Sequence, residues 1–350
     1  LKNKTILVTG GYGFIGSALI RRVLNDANAN IINIDKLTYA SNVNSLGKVD
    51  SKKYQHHQID ICDFVSLNDV ILNTSPDSVI HLAAETHVDR SIDGPDDFIS
   101  TNIFGTYNLL KSCHNYWSAM NGDKKNNFRF IHVSTDEVYG SLGEDDKQFN
   151  ENHCYSPNSP YSASKASSDH LVSSWNKTYN FPSIITNTCN NYGPWQFPEK
   201  LIPLVIEKCL SLNDIPVYGN GMQVRDWIHV DDHVTGILKV LDYGNLGDKY
   251  NIGSNNELRN IQVIRDICDI LNKINPGNID YNSLIKEVSD RPGHDFRYGI
   301  NNKRMLELGW LPDYDWKSGL YSTIEWYLQN KSFLSDSHSN SYSGERLGKI

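Results

Sequence analysis

A chain of 350 residues with 39% hydrophobic and 21% charged residues has the size and composition of a globular protein of two domains, or of one large domain with an added lobe. Its formal charge of −8 argues against a nucleic-acid partner, which usually shows as clustered Lys and Arg. Cys62, Cys113, Cys154, Cys189, Cys209 and Cys268 are scattered, with no Cys-x-x-Cys pair and no His cluster at zinc spacing, so they read as free thiols and no metal is expected. No run nears the roughly 20 apolar residues that span a bilayer, and Leu1 to Thr9 shows no signal core; the expected location is cytoplasmic, with no membrane partner.

In chain order, Thr5 to Thr9 is a short β-branched run, followed by a glycine-rich turn and an amphipathic stretch from Phe14 to Asn25. Further strands are predicted at Ile31 to Asp35, Tyr54 to Asp60, Ser78 to Ala83, Arg129 to Ser134 and Ser183 to Asn187. Helices are predicted at Phe64 to Asn73 and Asp97 to Trp117. This alternation implies an α/β fold, a Rossmann-type doubly wound parallel sheet covered by helices on both faces. After Asn191 the alternation is interrupted by the Pro- and Gly-bearing segments Tyr192 to Pro203 and Pro216 to Gly221, and a helical pattern returns at Ile261 to Ile274. The expected division is residues 1–191 as a dinucleotide-binding domain, 192–331 as a smaller mixed α/β lobe with room for some chain to return to the first domain, and 332–350 as a Ser-rich tail.

Gly11, Gly13 and Gly16 form a G-x-G-x-x-G spacing where the first strand hands over to a helix. Such glycines let backbone approach a pyrophosphate, and the helix N-terminus adds free N–H groups and a positive dipole end. Asp35 ends the next strand at the position where an acid binds ribose hydroxyls and repels a 2′-phosphate, which favours NAD over NADP. Asp60 and Ile61, closing the third strand, suit an adenine edge. Tyr161 and Lys165 lie four apart on a helix that begins after Pro160, so they share a face. A nearby ammonium would lower the tyrosine pKa and let Tyr161 take a proton from an alcohol, while Lys165 holds the nicotinamide ribose. Asp136 and Glu137 precede this pair in Ser134-Thr-Asp-Glu-Val-Tyr-Gly140. Oxidation needs one proton acceptor, so an adjacent acid and base imply a second task such as loss of water. Neighbours in a regular strand point to opposite faces, so both can serve one substrate only if the strand ends there.

The words Thr9-Gly-Gly-Tyr-Gly-Phe-Ile-Gly16, Asp35-Lys-Leu-Thr-Tyr-Ala40, His81-Leu-Ala-Ala-Glu-Thr-His-Val-Asp-Arg90, Tyr161-Ser-Ala-Ser-Lys165, Asn190-Asn-Tyr-Gly-Pro194, Phe197-Pro-Glu-Lys200, Arg225-Asp-Trp227 and Asp290-Arg-Pro-Gly-His-Asp295 carry a resemblance. Together with Ser134 to Gly140 and a C-terminal Glu345-Arg-Leu-Gly348, they make the chain similar to the extended short-chain dehydrogenase/reductases, and within them to the dTDP-glucose 4,6-dehydratases. The resemblance implies a catalytic set of Thr135, Asp136, Glu137, Tyr161 and Lys165. It implies NAD as cofactor, held by Gly10, Gly11, Gly13, Phe14, Ile15, Gly16, Asp35, Lys36, Leu37, Thr38, Asp60, Ile61, Leu82, Ala83, Ala84, Thr101 and Asn191 besides Tyr161 and Lys165. The sugar nucleotide is expected at Thr86, Thr135, Asn190, Glu199, Lys200, Leu201, Pro216, Tyr218, Arg225, Asn260 and His294, mostly in the second lobe.

The implied reaction oxidises the glucose C4, eliminates water across C5 and C6 and returns hydride to C6, supplying a deoxysugar precursor such as that of rhamnose. A homodimer is also implied, through a four-helix bundle built on Asp97 to Trp117 and Ser162 to Tyr179. Trp195, His229 and Ser254 depart from the family pattern, and Trp195 is placed to alter pocket shape. Two alternatives remain at this point. One is an enzyme of neighbouring type, a UDP-sugar 4-epimerase or a dehydratase of UDP- or CDP-glucose, and the epimerase has no use for a C5 base such as Glu137. The other is a non-catalytic NAD-binding sensor, against which the joint retention of Thr135, Asp136, Glu137, Tyr161 and Lys165 speaks.

Overall fold

The computed structural model describes residues 3–26, 29–290 and 293–334. Strands follow one another as β1 (Thr5–Thr9), β2 (Asn30–Ile34), β3 (Tyr54–His57), β4 (Ser78–His81), β5 (Arg129–Thr135) and β6 (Ser183–Thr188), then β7 (Asn190–Tyr192), β8 (Ile215–Tyr218), β9 (Val224–His229), β10 (Lys249–Ile252), β11 (Glu257–Arg259) and β12 (Ile285–Val288). The first six and β10 make one sheet in the order β10-β6-β5-β4-β1-β2-β3. Every pairing in it is parallel. The chain runs outward from β1 through β2 and β3, then crosses to β4 on the other side, so the sheet's topological switch lies between β1 and β4. Ligands of such sheets bind outside the carboxyl ends of the strands at that switch.

The inner strands β1, β2, β4, β5 and β6 are buried along nearly their whole length because helices cover both faces, while β3 at the edge is only half-buried. In β1, Ile6 and Val8 turn into one core with the helices Phe14–Asp26 and Val230–Tyr243, while Leu7 turns into the other with Phe64–Thr74 and Thr106–Ala119. All three are 0% exposed. At about 1.5–3 kcal/mol for each buried aliphatic side chain, this period-two alternation sets the register of the central strand.

A second apolar core forms around the helices Leu201–Leu210, Asn260–Ile274 and Trp316–Gln329. Beside it stand a small sheet in the order β11-β9-β7 and the parallel pair β12-β8. The chain beyond Asn191 is thus shared. Helix Val230–Tyr243, β10 and the residues Ile300, Met305 and Trp310 return to the first core. Most of the Ser-rich tail, including Glu345 to Gly348, lies outside the described residues, as do Arg291 and Pro292.

Three expectations are corrected. Strands β3 and β4 end at His57 and His81, short of Asp60 and Ala83, because the chain turns there to line a cavity. The span Asp97 to Trp117 is not one regular helix. It opens with a turn at Asp96–Phe98, passes through a π-helical segment at Ile99–Gly105 and becomes α-helical at Thr106–Ala119. Asn102 explains the break: its amide donates to the Glu85 carbonyl at 3.0 Å and to the Ser164 hydroxyl at 2.8 Å, and its oxygen accepts from the Glu85 N–H at 2.9 Å. These ties draw the segment toward β4 and the neighbouring helix, and π-turns of this kind tend to sit at functional sites. Finally, Trp195 lines neither of the cavities described below; it packs on Trp326 and Phe333, with ring centroids 4.8 and 5.3 Å away.

Candidate active site

Two cavities meet at the carboxyl edge of the sheet. One, of about 290 Å³, follows the ends of β1, β2, β4, β5 and β6. The other, of about 420 Å³, extends into the second lobe. They share Thr86, Glu137, Asn190, Glu199 and Lys200, so a ligand in either touches a common boundary.

The first cavity is floored by the glycine loop. Gly10 has φ +73°, and a Cβ there would stand 2.8 Å from the Ala83 backbone, so only glycine passes between β1 and β4. Gly10, Gly13 and Gly16 line the cavity together with Phe14 and Ile15. Gly11 does not; its N–H donates to Asn33 Oδ1 at 3.0 Å, and a Cβ would strike that side chain. The glycines facing the cavity are therefore spaced by three, and Gly11 is there for packing. Asp35 lies at the cavity wall, its carboxylate accepting from the N–H groups of Tyr12 (2.9 Å) and Leu37 (2.8 Å). Lys36, Thr38, Asp60, Ile61, Leu82, Ala83, Ala84, Thr101 and Asn191 line the same space, while Leu37, at φ +61°, does not. A narrow cradle free of Cβ atoms beside a helix N-terminus, with an acid at the end of β2, fits a dinucleotide.

Tyr161 and Lys165 enter from the helix Pro160–Tyr179. A Ser159/Ser162 capping box starts this helix, and Pro160 presets its first turn. Both side chains are buried, and the Lys165 ammonium donates to the Val133 carbonyl at 2.9 Å. Burial pulls the lysine down to about 8 against the attraction of Asp169. The expectation that Lys165 depresses the tyrosine is corrected. Burial first, then the charge of Glu137, raise the Tyr161 phenol well above its ordinary value, and the Thr135 hydroxyl only partly opposes them. In the protein alone Tyr161 is a protonated phenol, and a cation brought by a ligand is what would release its proton.

Strand β5 stops at Thr135, whose hydroxyl accepts from the Glu137 N–H at 3.2 Å and donates to Asp136 Oδ1 at 3.3 Å. This cap opens a 3₁₀ turn at Asp136–Tyr139. With three residues per turn, neighbouring side chains are no longer on opposite faces, and Asp136 and Glu137 both line the first cavity. Asp136 is 1% exposed, and its Oδ2 has no hydrogen-bond partner. Burial, Glu137 and Asp226 raise it well above the carboxylate range, with Arg225 opposing, so it is a neutral acid. Thr135 lines only the first cavity, beside Tyr161.

The second cavity brings together Thr86, Asn190, Glu199, Lys200, Leu201, Pro216, Tyr218, Arg225, Asn260 and His294. Arg225, on β9, lies 4.2 Å from the Tyr298 ring centroid and donates to the carbonyls of Val224 (2.8 Å) and Asp295 (3.0 Å). The Asn260 side-chain oxygen is buried without a partner, which suits a ligand donor. His294 Nδ1 lies 2.6 Å from Asp290 Oδ1. Sequence reasoning missed Tyr298, which carries the guanidinium, and Asp89, which accepts from the Tyr218 hydroxyl at 3.0 Å. Asp89 lay within the word ending at Arg90; Tyr298 had no signal beyond its closeness to Asp295.

Fold and site define an extended short-chain dehydrogenase/reductase. The comparisons with known proteins narrow the class. Residues 7–323 match the family model described as GDP-mannose 4,6 dehydratase. A dTDP-glucose 4,6-dehydratase of Shigella flexneri is 51% identical over 347 residues, 96% of each chain, and one of Neisseria meningitidis serogroup B is 50% identical over 351 residues, 99% of each. Among solved structures, the dTDP-glucose 4,6-dehydratase of Streptomyces venezuelae with NAD and dTDP bound superposes with a TM-score of 0.85 at 40% identity, covering 94% of this chain and 98% of that one. A Thermotoga maritima UDP-glucose 4-epimerase superposes with a TM-score of 0.82 at 25% identity, covering 93% and 99%. The chain belongs to the dTDP-glucose 4,6-dehydratase family.

Proposed function

We infer that this chain is an NAD-dependent hydro-lyase that converts dTDP-glucose to its 4-keto-6-deoxy product. The observation that carries the reading is the pair at the end of β5: Asp136, buried with an unpartnered Oδ2, next to Glu137, both lining the cavity that Tyr161 lines. NAD held in the glycine-loop cavity would supply the chemistry of taking a hydride from C4 and giving it back at C6. With the bound cofactor's positive charge favouring its phenolate, Tyr161 would accept the C4 hydroxyl proton, and Thr135 holds the same oxygen. The resulting C4 carbonyl acidifies the C5 proton, which Glu137 removes. Asp136 gives its proton to the C6 hydroxyl, which leaves as water, and the proton held by Glu137 returns to C5 as C6 is reduced. Lys165 and Asp35 position the two riboses, and Arg225 with Lys200 grips the pyrophosphate.

An epimerase would need only Tyr161 and the cofactor, and a raised, buried Asp136 would serve nothing there. The preference for thymine over uracil leans on the 50% identical relatives. No helix among the described residues is long and apolar enough to cross a membrane, and all six cysteines are free thiols, which supports a cytoplasmic enzyme. The helices Thr106–Ala119 and Pro160–Tyr179 pack side by side, with Tyr107 and Tyr179 exposed on them and Phe104 exposed on the π segment that precedes the first, which supports a homodimer through a four-helix bundle.

The test is to supply dTDP-glucose carrying deuterium at C4, with UDP-, CDP- and GDP-glucose in parallel. Deuterium in the product's methyl group, with turnover fastest on the thymidine nucleotide, is the expected result. A 4-epimer, or a methyl group free of label, would overturn it.

A further inference from the structure

The loop after β2 is held from two sides. On its inner side Thr38, Ala40 and Ser41 line the glycine-loop cavity, and Asp35 fastens them by accepting from the Leu37 N–H and, at 3.0 Å, from the Ser41 hydroxyl. Tyr39 is not in that lining and reaches outward to the second lobe. Its hydroxyl donates to Glu199 Oε1 at 3.1 Å, and its ring meets Phe197 edge-on at 5.5 Å. Arg90 completes the cluster: its guanidinium lies 4.1 Å from the Tyr39 ring centroid and donates to Glu199 Oε2 at 2.9 Å. Glu199 is 7% exposed, so both carboxylate oxygens are engaged within the protein. Burial, then the charge of Glu199, hold the Tyr39 phenol protonated and able to donate. A second tie runs alongside, from the Lys200 ammonium to the Thr86 carbonyl at 3.1 Å.

We propose that Tyr39, Arg90 and Glu199 form a latch that fastens the wall of the dinucleotide cavity to the second lobe and slows escape of the cofactor during turnover. This rests on the NAD-dependent reading given above. A reaction that lends a hydride and takes it back fails if the reduced cofactor leaves first, since the ketone is then stranded. The loop lining the dinucleotide cavity must move for the dinucleotide to exit, and the latch resists that movement from outside. It also gives Glu199 a role different from direct contact with the sugar nucleotide. Tyr39 and Arg90 act as positioning residues, since neither lines either cavity.

The experiment loads purified full-length protein with NADH, mixes it with excess NAD and follows the loss of bound-NADH fluorescence, with no sugar nucleotide present. Tyr39→Phe keeps both ring contacts and removes one hydrogen bond to a charged acceptor. It should speed release about tenfold, the order expected for such a bond. Glu199→Gln should do the same, and in both variants dTDP-glucose should cause free NADH to appear and activity to decline until NAD is added. Release as slow as in the parent from both variants, with unchanged thermal unfolding, would overturn the latch even if the parent makes the 4-keto-6-deoxy product. Faster release together with no product from any nucleotide-glucose would leave the latch standing and remove the dehydratase reading.

Discussion

At the residue scale, the division of labour rests on two carboxyl groups whose surroundings differ. Asp136 is enclosed, with an unpartnered oxygen, whereas Glu137 is half-buried and borders both cavities. Burial and the neighbouring charge favour the neutral form of the first, while the second faces both cavities, and surroundings that differ in this way are how one site runs acid and base chemistry together. Removing either group should cost elimination about 10²- to 10⁴-fold, the usual range for a lost general acid or base. Glu137→Gln should still oxidise C4, so rapid-quench mass spectrometry of single turnovers should find the 4-keto glucose intermediate accumulating with water retained. Tyr161→Phe should stop before that point, leaving unreacted substrate. Elimination at the parent's rate in Glu137→Gln would reassign the base.

At the scale of elements, the central sheet was legible because its signals are local. Short β-branched runs alternate with helical patterns, and a glycine turn marks the first handover from strand to helix. The candidate site was legible where neighbours in sequence are neighbours in space, as with Tyr161 and Lys165 on one helix face. It was obscure where the contact is remote, as between Tyr39 and Glu199, 160 positions apart. Backbone detail was obscure too. Whether Gly10 or Gly11 takes positive φ depends on Ala83 in β4's following loop, and the 3₁₀ turn that brings Asp136 and Glu137 together depends on the Thr135 cap. The π segment at Ile99–Gly105 bears on assembly, since it sets Phe104 outward at 60% exposure beside Tyr107. Burying one such ring against a second copy is worth roughly 1.5–3 kcal/mol, and twofold symmetry counts each contact twice. Light scattering should therefore find a dimer at micromolar concentration and a monomer for a Phe104→Glu, Tyr107→Glu double variant. A monomeric parent would refute the bundle.

For the molecule as a whole, the acid site is a burden on stability. Asp136 has its pKa raised by burial, then by Glu137 and Asp226, and such a group carries no penalty only while it is protonated in both states. Below the unfolded carboxyl value near 4 the folded protein suffers no penalty. As pH rises above it, the unfolded chain gives up its proton while the folded chain holds on, and stability falls by about 1.4 kcal/mol per pH unit until the folded group ionises. Buried histidines pull the other way. Burial holds His233 down to about 3 and His229 to about 4, so the unfolded chain takes up protons below about pH 6.5 when the fold cannot, and acid weakens the fold through them. The parent's stability curve mixes the two trends, but comparison with Asp136→Asn cancels the histidines. The variant should unfold at a higher temperature than the parent at pH 8, and the gap should narrow as pH falls below the folded pKa and close near pH 4. A gap that is constant across that range would mean that the asparagine improves packing, and that Asp136 is not the strained, protonated acid on which the elimination depends.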